Sequence, residues 1–493
     1  LNQDDSVVVI GSGPSGAMAA HRLVRDGATV IMLEAGSSEP RGWLVRVAGR
    51  TIFRRTPPVR NEHEYVASGH PSTTWYRELN LGGLSNQWTG AVPRFAPEDF
   101  SDGERLDGRY RWPLDYEDLA PFYTEAERFL NMTSSCHDLP QLPSARAGRR
   151  RKLPADWMEV AEVASRHGQS LTVLPFAEGP DYLLARRATA FNSYSSIINT
   201  MRASPRFTLR KGCVALRLEW SSARQRVESV ICHDRESGGQ VRIPASAVVV
   251  ACGPLGSTKL LFDSACPDFP DGLGNREGIL GRYLHDHPKE WWSVELDRPI
   301  SRLGRAAYLT RRAFEDGPPL MSTSWTIGLA SRREKVRSFL PGRGRTLGVQ
   351  VFGSMIPCPD FYVRPHATET DEFGLPQLEL HLDFDPDVIK NVQAARSVFA
   401  DLMEESGYPC RLNPVVPQCV PGASVHFGGT VRMHHSRRFG VTDPWSRLFD
   451  APNVAVADAS TFTTSSEKNP TLTAMALAAR SAHRLVCDLR RGL

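Results

Sequence analysis

One stretch, Ser6 to Gly36 (SVVVIGSGPSGAMAAHRLVRDGATVIMLEAG), constrains the fold of this chain more than any other. It opens on an unbroken apolar run, Val7 to Ile10, the pattern of a parallel strand buried on both faces. Gly11, Gly13 and Gly16 follow in a G-x-G-x-x-G turn, and Ala17, Ala20, Leu23 and Val24 then recur at helical spacing until Gly27. A second apolar strand, Thr29 to Leu33, ends on Glu34. Gly11 permits the tight turn, Gly13 lets a pyrophosphate reach the backbone, and Gly16 lets helix and strand pack closely. The helix N-terminus presents free N–H groups and a positive dipole end to phosphates, and Glu34 is placed to accept from a ribose diol. A glycine triplet alone would mark any strand-to-helix turn. Its setting here, with an acid closing the next strand, predicts a Rossmann unit that binds a dinucleotide.

The rest of the composition excludes several classes. Of 493 residues, 41% are hydrophobic and 23% charged, as in ordinary globular proteins. A net charge of +4 with interspersed signs argues against a nucleic-acid partner, and the basic run Arg149 to Lys152 reads as a solvated loop. No apolar stretch approaches a membrane span, and the opening LNQDDS has no signal-peptide character. The nine cysteines are scattered without a C-x-x-C pair, which fits reduced thiols in a cytoplasmic protein with no metal site.

Along the chain, residues 46–77 read as a loop or lid and 132–185 as an insertion, with a helix over Asp156–Arg166. Around Trp88, the segment from Gly82 and Gly83 through Ser85, Asn86, Gln87 and Thr89 combines close backbone approach with polar side chains. Phe207 to Val250 reads as an antiparallel meander feeding a second strand–turn–helix unit at VVVACGPLGSTKLLF. Residues 291–421 alternate in the antiparallel manner. Leu378, Leu380, Leu382 and Phe384 share one face, and Glu379, His381 and Asp383 share the other, which looks onto solvent or, more in keeping with a substrate domain, walls a cavity. Near the end, Asn469 is a candidate N-cap and Pro470 stands at a first helical position. The fold class expected is α/β. A discontinuous Rossmann-type domain (1–45, 78–131, 186–290 and 422–493) joins a second, substrate-binding domain (291–421) built on an antiparallel sheet.

These blocks, taken in order with GGLSNQWTGAVPR, GRYLHDHP, HFGGTVRM and VADASTFTTSSEKNPTLTAMALAAR, resemble the glucose–methanol–choline (GMC) oxidoreductases. The Trp88-Thr89 pair followed by Pro93-Arg94-Phe95 looks most like the pyranose oxidase and C-glycoside 3-oxidase branch. The resemblance implies FAD as the dinucleotide. Gly11, Gly13, Ser15 and Gly16 would hold its pyrophosphate, Glu34 the ribose and backbone near Val214 the adenine. Asp458 and Ala459 would contact pyrophosphate and ribityl chain, Pro470 and Thr471 the pyrimidine side, and Gly83 with Asn86 to Thr89 the flavin ring. Where some relatives tether FAD through a histidine, this chain has Gln87, so the flavin is expected to be non-covalent.

The family's catalytic pair maps onto His426 and Asn469. Alcohol oxidation removes an O–H proton while a hydride leaves the carbon. A neutral imidazole suits the first task, and an amide can orient the hydroxyl without competing for its proton. His434 and His435 read as peripheral, and His285 and His287 as a structural block. Gln350, Arg364, His381 and Asp383 are candidate substrate contacts. The expected activity is oxidation of a secondary alcohol of a sugar, glycoside or polyol, with oxygen or another acceptor taking the electrons. Alternatives are a tailoring oxidase of a natural product such as an aminoglycoside, a redox-silent hydroxynitrile lyase, and a flavoprotein scaffold without activity.

Overall fold

The computed structural model describes residues 6–39, 59–60, 64–178, 191–304, 306–328, 342–415 and 418–492. The opening stretch forms β1 (Ser6–Ile10), α1 (Pro14–Arg25) and β2 (Thr29–Glu34). Three later strands join them: β3 (Phe207–Lys211), β4 (Ala247–Val250) and β5 (Val454–Val456). Helix α2 (Pro254–Asp263) follows β4, and α3 (Thr471–Leu489) follows β5. All five strands are parallel, in the order β3-β2-β1-β4-β5.

The apolar runs behave as a sheet buried on both faces requires. Val7, Val9, Val30, Met32 and Val249 pack under α1 and α3, while Val8, Ile10, Leu33, Val248 and Val250 pack against a second layer. That layer is the three-stranded meander Cys213–Ser221, Arg226–Asp234 and Gly239–Pro244. Each buried aliphatic side chain contributes roughly 1.5–3 kcal/mol. Helix Tyr116–Leu130 packs on α3, with the Tyr123 hydroxyl 2.8 Å from Thr473 Oγ1.

The second region is an antiparallel six-stranded sheet, in the order Cys410–Pro414, Lys289–Ser301, Arg343–Gly353, Thr323–Ile327, Ala307–Leu309, Leu171–Val173. Cross-strand register decides what each face holds. Trp292, Val294, Val349, Val351, Trp325 and Leu309 turn into a core shared with helices Pro386–Glu405 and Ala155–Arg166. The opposite face carries Lys289, Trp291, Gln350, Phe352, Ser324, Thr326 and Tyr308.

Several expectations need correction. Phe207–Lys211 is not part of the meander: it is the edge strand of the parallel sheet, hydrogen-bonded to β2. Five residues alternate alike in either setting, so periodicity could not choose. Arg149–Arg151 is a strand, parallel to Met132–Ser135, rather than a loop. Of the expected lid, 46–58 and 61–63 lie outside the described residues. Its remainder is tied down, with Tyr65–Ala67 pairing Leu378–Leu380 and His70 N donating to Leu382 O. Part of the insertion, 179–185, also lies outside, but Leu171–Val173 within it completes the large sheet. Among the described residues no helix is long and apolar enough to cross a membrane.

Candidate active site and cofactor cleft

A cleft of about 520 Å³ runs along the carboxyl ends of β1, β2 and β4. The three glycines of the turn have separate duties. Gly11 has φ +106°, and a Cβ there would lie 2.3 Å from Ala251 O. At Gly16 a Cβ would meet Gly11 O at 2.1 Å, whereas at Gly13 it would meet nothing within 4 Å. Gly11 and Gly16 are therefore packing positions, and Gly13 faces open space where a ligand can approach the backbone. Gly13 also occupies the N-cap of α1, so no capping side chain takes the first free N–H groups.

Glu34 holds this turn in place. Its Oε2 accepts from Ser12 N at 3.2 Å and Ser12 Oγ at 2.5 Å, and its Oε1 accepts from Gly36 N at 2.8 Å. Burial pushes its carboxyl above the usual range, against the pull of these donors. Gly11, Gly13, Ser15, Glu34, Gly83, Val214 and Asp458 all line the cleft. Asp458 accepts from Ser257 Oγ at 2.5 Å and Ser460 N at 2.9 Å. The neighbouring Ala459 is buried, and Pro470 and Thr471 stand at the start of α3. An anion-ready helix end, room at Gly13 and a buried acid at the end of β2 together fit a dinucleotide.

The segment before Trp88 is less exposed to the cleft than its sequence suggests. Asn86 Oδ1 accepts from Asn192, Gln87 Nε2 donates to Glu78, and Trp88 packs edge-on against Phe191. Thr89 is exposed. Arg94 is a buried structural residue, its Nε 2.6 Å from Glu127 Oε1. Trp75, Arg77, Arg235 and Phe373 also line the cleft, and no motif marks them as cofactor contacts. They come from segments distant from the Rossmann motif.

Beyond the cleft, His426 and Asn469 come together from separate segments, His426 Nε2 lying 3.1 Å from Asn469 Nδ2. Asn469 does not cap α3 with its side chain. Pro470 takes the N-cap position, and the freed amide meets the imidazole. On the other edge, His426 Nδ1 lies 2.9 Å from Nδ1 of His287, whose Nε2 lies 2.5 Å from Ser465 Oγ. The Ser465 hydroxyl donates to Ser466 O at 3.0 Å.

That last bond fixes the direction of all the others. A hydroxyl has one proton, so Ser465 must accept from His287 Nε2–H. His287 Nδ1 is then bare and accepts from His426 Nδ1–H. His426 Nε2 is left as a lone pair facing Asn469. The imidazole thus shows a base, not a donor, to the space beside the amide.

Asp286 anchors the backbone on which this chain depends. Its Oδ2 accepts from Gly422 N at 2.7 Å, and its Oδ1 from Ser424 Oγ and from His426 N at 3.1 Å. Val425, just before His426, has φ +61°, a conformation a β-branched residue adopts only when its neighbours enforce it. Burial, with His287 and Lys289 adding to it, holds His426 well below the usual imidazole range. Burial pushes His287 down to about 4. The block read from sequence as structural therefore supplies the partner of His426.

Asn469 is held from the preceding residues by a buried ionic network. Lys468 Nζ lies 2.9 Å from Asp99 Oδ2 and 2.8 Å from Glu467 Oε1, and Arg311 lies 3.3 Å from Glu467. Burial would raise Glu467, but Lys468 and Arg311 beside it hold it below the usual carboxylate range.

Of the substrate contacts expected from sequence, one lies near this centre. Gln350 is buried on the sheet face that carries Phe352, whose ring is 5.6 Å from that of His426. Arg364 is exposed and paired with Glu379, Asp383 is exposed, and His381 stacks on Tyr362. None of these three reaches His426. Arg364 and His381 lie on strands of a separate three-stranded sheet, Asp383 just beyond it, and none of the three lines the cleft, so the cavity-wall expectation fails there. His434 and His435 sit away from the pair, His434 accepting from Ser436 N at an exposed turn.

A family model described as GMC oxidoreductase matches residues 364–478. The chain is 31% identical to the 6‴-hydroxyparomomycin C oxidase of Streptomyces lividus, over 98% of this chain and 91% of that one. It is 29% identical to the paromamine 6′-oxidase of Streptomyces fradiae, with the same coverage of 98% and 91%. In three dimensions it superposes on a formate oxidase of Aspergillus oryzae, studied for modification of its FAD, with a TM-score of 0.68 at 16% identity and full coverage of both chains.

Proposed function

Because this chain belongs to the GMC oxidoreductase family, flavin-dependent enzymes that act on CH–OH groups, we propose that it oxidises a hydroxyl of a sugar or glycoside, with His426 as the base. The observation that carries this reading is the Nε2 lone pair of His426, 3.1 Å from the Asn469 amide. Asn469 orients the hydroxyl oxygen. His426 Nε2 takes its proton, and the resulting imidazolium is steadied by the bond from its Nδ1–H to His287. FAD, when bound, supplies the acceptor for the hydride that leaves the same carbon. Gln87 stands where a covalent tether would need a histidine, which supports a non-covalent flavin. The roles of the pyrophosphate turn, Glu34, Val214, Asp458, Ala459, Pro470 and Thr471 follow the assignments made from sequence.

The test is anaerobic. A flavin absorption band bleached by a sugar or glycoside supports the reading, and readmitted air distinguishes oxygen from another acceptor. A flavin that no alcohol bleaches would leave the lyase or scaffold reading. His426→Ala should retain flavin and slow its reduction about 100- to 10,000-fold. A second reading, tailoring of an aminoglycoside hydroxyl, draws support from the Streptomyces relatives, and bleaching by paromamine tests it.

A further inference from the structure

Lys289 opens the longest strand of the six-stranded sheet, on the face that also carries Trp291, Gln350 and Phe352. Its ammonium lies 5.3 Å from the centre of the Phe352 ring and 5.8 Å from that of Trp291. Phe352 in turn lies 5.6 Å from His426. An ammonium has three N–H donors. Among the described residues those of Lys289 have aromatic faces beside them and no hydrogen-bond acceptor or ion pair.

The nearby acid, Asp286, attracts Lys289 without contacting it, because both its oxygens are taken by Gly422, Ser424 and His426 N. The other buried charges close to the pair cancel among themselves, Lys468 and Arg311 against Asp99 and Glu467. Lys289 and Asp286 therefore balance in charge, but the ammonium makes no hydrogen bond to that carboxylate, and its donors beside Phe352 and Trp291 remain open to another acceptor. Lys289 is half-buried, and an anionic oxygen carried by a substrate would make a charge-assisted hydrogen bond to it.

We propose that Lys289 selects substrates carrying an anionic group, so that the glycoside oxidised here bears a carboxylate or phosphate. This rests on the sugar or glycoside reading above. Trp291, half-buried beside the ammonium, offers an aromatic face to a sugar ring, and Gln350, paired with Trp291 across the strands, offers an amide to its hydroxyls. A polycationic aminoglycoside would meet like charge at this wall.

The experiment compares rates of anaerobic flavin bleaching in the holoenzyme. One pair is methyl glucuronide and methyl glucoside, another glucose 1-phosphate and methyl glucoside, and a cationic control is methyl 6-amino-6-deoxyglucoside. The wild type should favour an anionic member by about 10- to 100-fold in kcat/KM, the worth of a charge-assisted hydrogen bond. Lys289→Met should erase that ratio, mainly through KM, and Lys289→Glu should turn it toward the amino sugar. Equal rates across the panel, a preference for the amino sugar in the wild type, or a ratio that survives both substitutions would overturn the proposal. Losses in Lys289→Met that are equal for anionic and neutral glycosides would place the ammonium's role on the flavin and overturn it as well. Bleaching by neutral glycosides alone leaves the glycoside reading standing without it. Bleaching by none removes both.

Discussion

The Nδ1 atoms of His426 and His287 lie 2.9 Å apart, so one ring must carry a proton there and the other must not. Ser465 settles which, by spending its single proton on Ser466 O. An imidazole, rather than a carboxylate, thus stands behind the base. A neutral partner fixes the tautomer without adding the negative charge that would raise the pKa of His426.

This predicts an unequal pair of substitutions. His287→Asn keeps an acceptor for His426 Nδ1–H and should hold flavin reduction near the wild-type rate. His287→Phe removes it and should slow reduction about 100-fold or more while flavin content stays constant. Stopped-flow reduction across pH separates the two, because a purely structural role would not leave a tautomer-dependent pH profile. Equal rates for both variants would refute the assignment.

The pH dependence of activity follows from the same burial. His426 must be neutral to accept a proton, and burial with His287 and Lys289 nearby keeps it so well below its ordinary range. Flavin reduction should therefore stay level as pH falls through 6.5, the usual imidazole value. A rate that halves near that value would mean that His426 titrates normally.

Stability should behave differently. Unfolded imidazoles take a proton near 6.5, whereas burial holds folded His287 neutral to about 4 and His285 to about 3. Below 6.5 the unfolded chain binds more protons, so this contribution is complete above that pH and is lost as pH falls toward 4. The slope is roughly 1.4 kcal/mol per pH unit for each histidine. Denaturant melts between pH 7 and 4 check it, by the midpoint's fall with pH.

The glycines give a separation of fold from cofactor. Gly16→Ala would drive a Cβ to 2.1 Å from Gly11 O and should prevent soluble expression. Gly13→Ala meets no protein atom within 4 Å, so the apoprotein should melt as the wild type does and yet lose flavin. Thermal melts and the absorbance ratio of flavin to protein decide.

Lys468→Met leaves the buried Asp99 and Glu467 to share Arg311, and should cost about 3–5 kcal/mol. Denaturant midpoints measure it. A smaller loss would mean that the two acids take up protons instead.

The cofactor half of the fold was legible because its constraints are local. Gly11, Gly13, Gly16 and Glu34 lie within one strand–helix–strand unit, and steric necessity fixes their spacing. The pairing of His426 with Asn469 was legible only through resemblance, since the two meet by packing. His287 and Lys289 were not legible. Their meaning depends on cross-strand register and on which of two faces a residue takes, and RYLHDHPK states neither. His381 and Asp383 show the converse: the alternation that set them opposite Leu380 and Leu382 was correct, but alternation does not say what a polar face looks onto.

The parallel sheet has a temporal consequence. β1 and β2 are made long before β5 and α3, yet α1 cannot bury its apolar side until α3 arrives, and the cleft lacks Asp458 until β5 pairs with β4. A chain growing from its N-terminus must carry an unfinished sheet through most of its synthesis, with pairings of large sequence separation still to come. The same late segment brings Asn469 up to His426. With the roles proposed for Asp458, His426 and Asn469, cofactor retention and chemistry would switch on together at the ribosome, and a chain stalled before residue 454 should have neither.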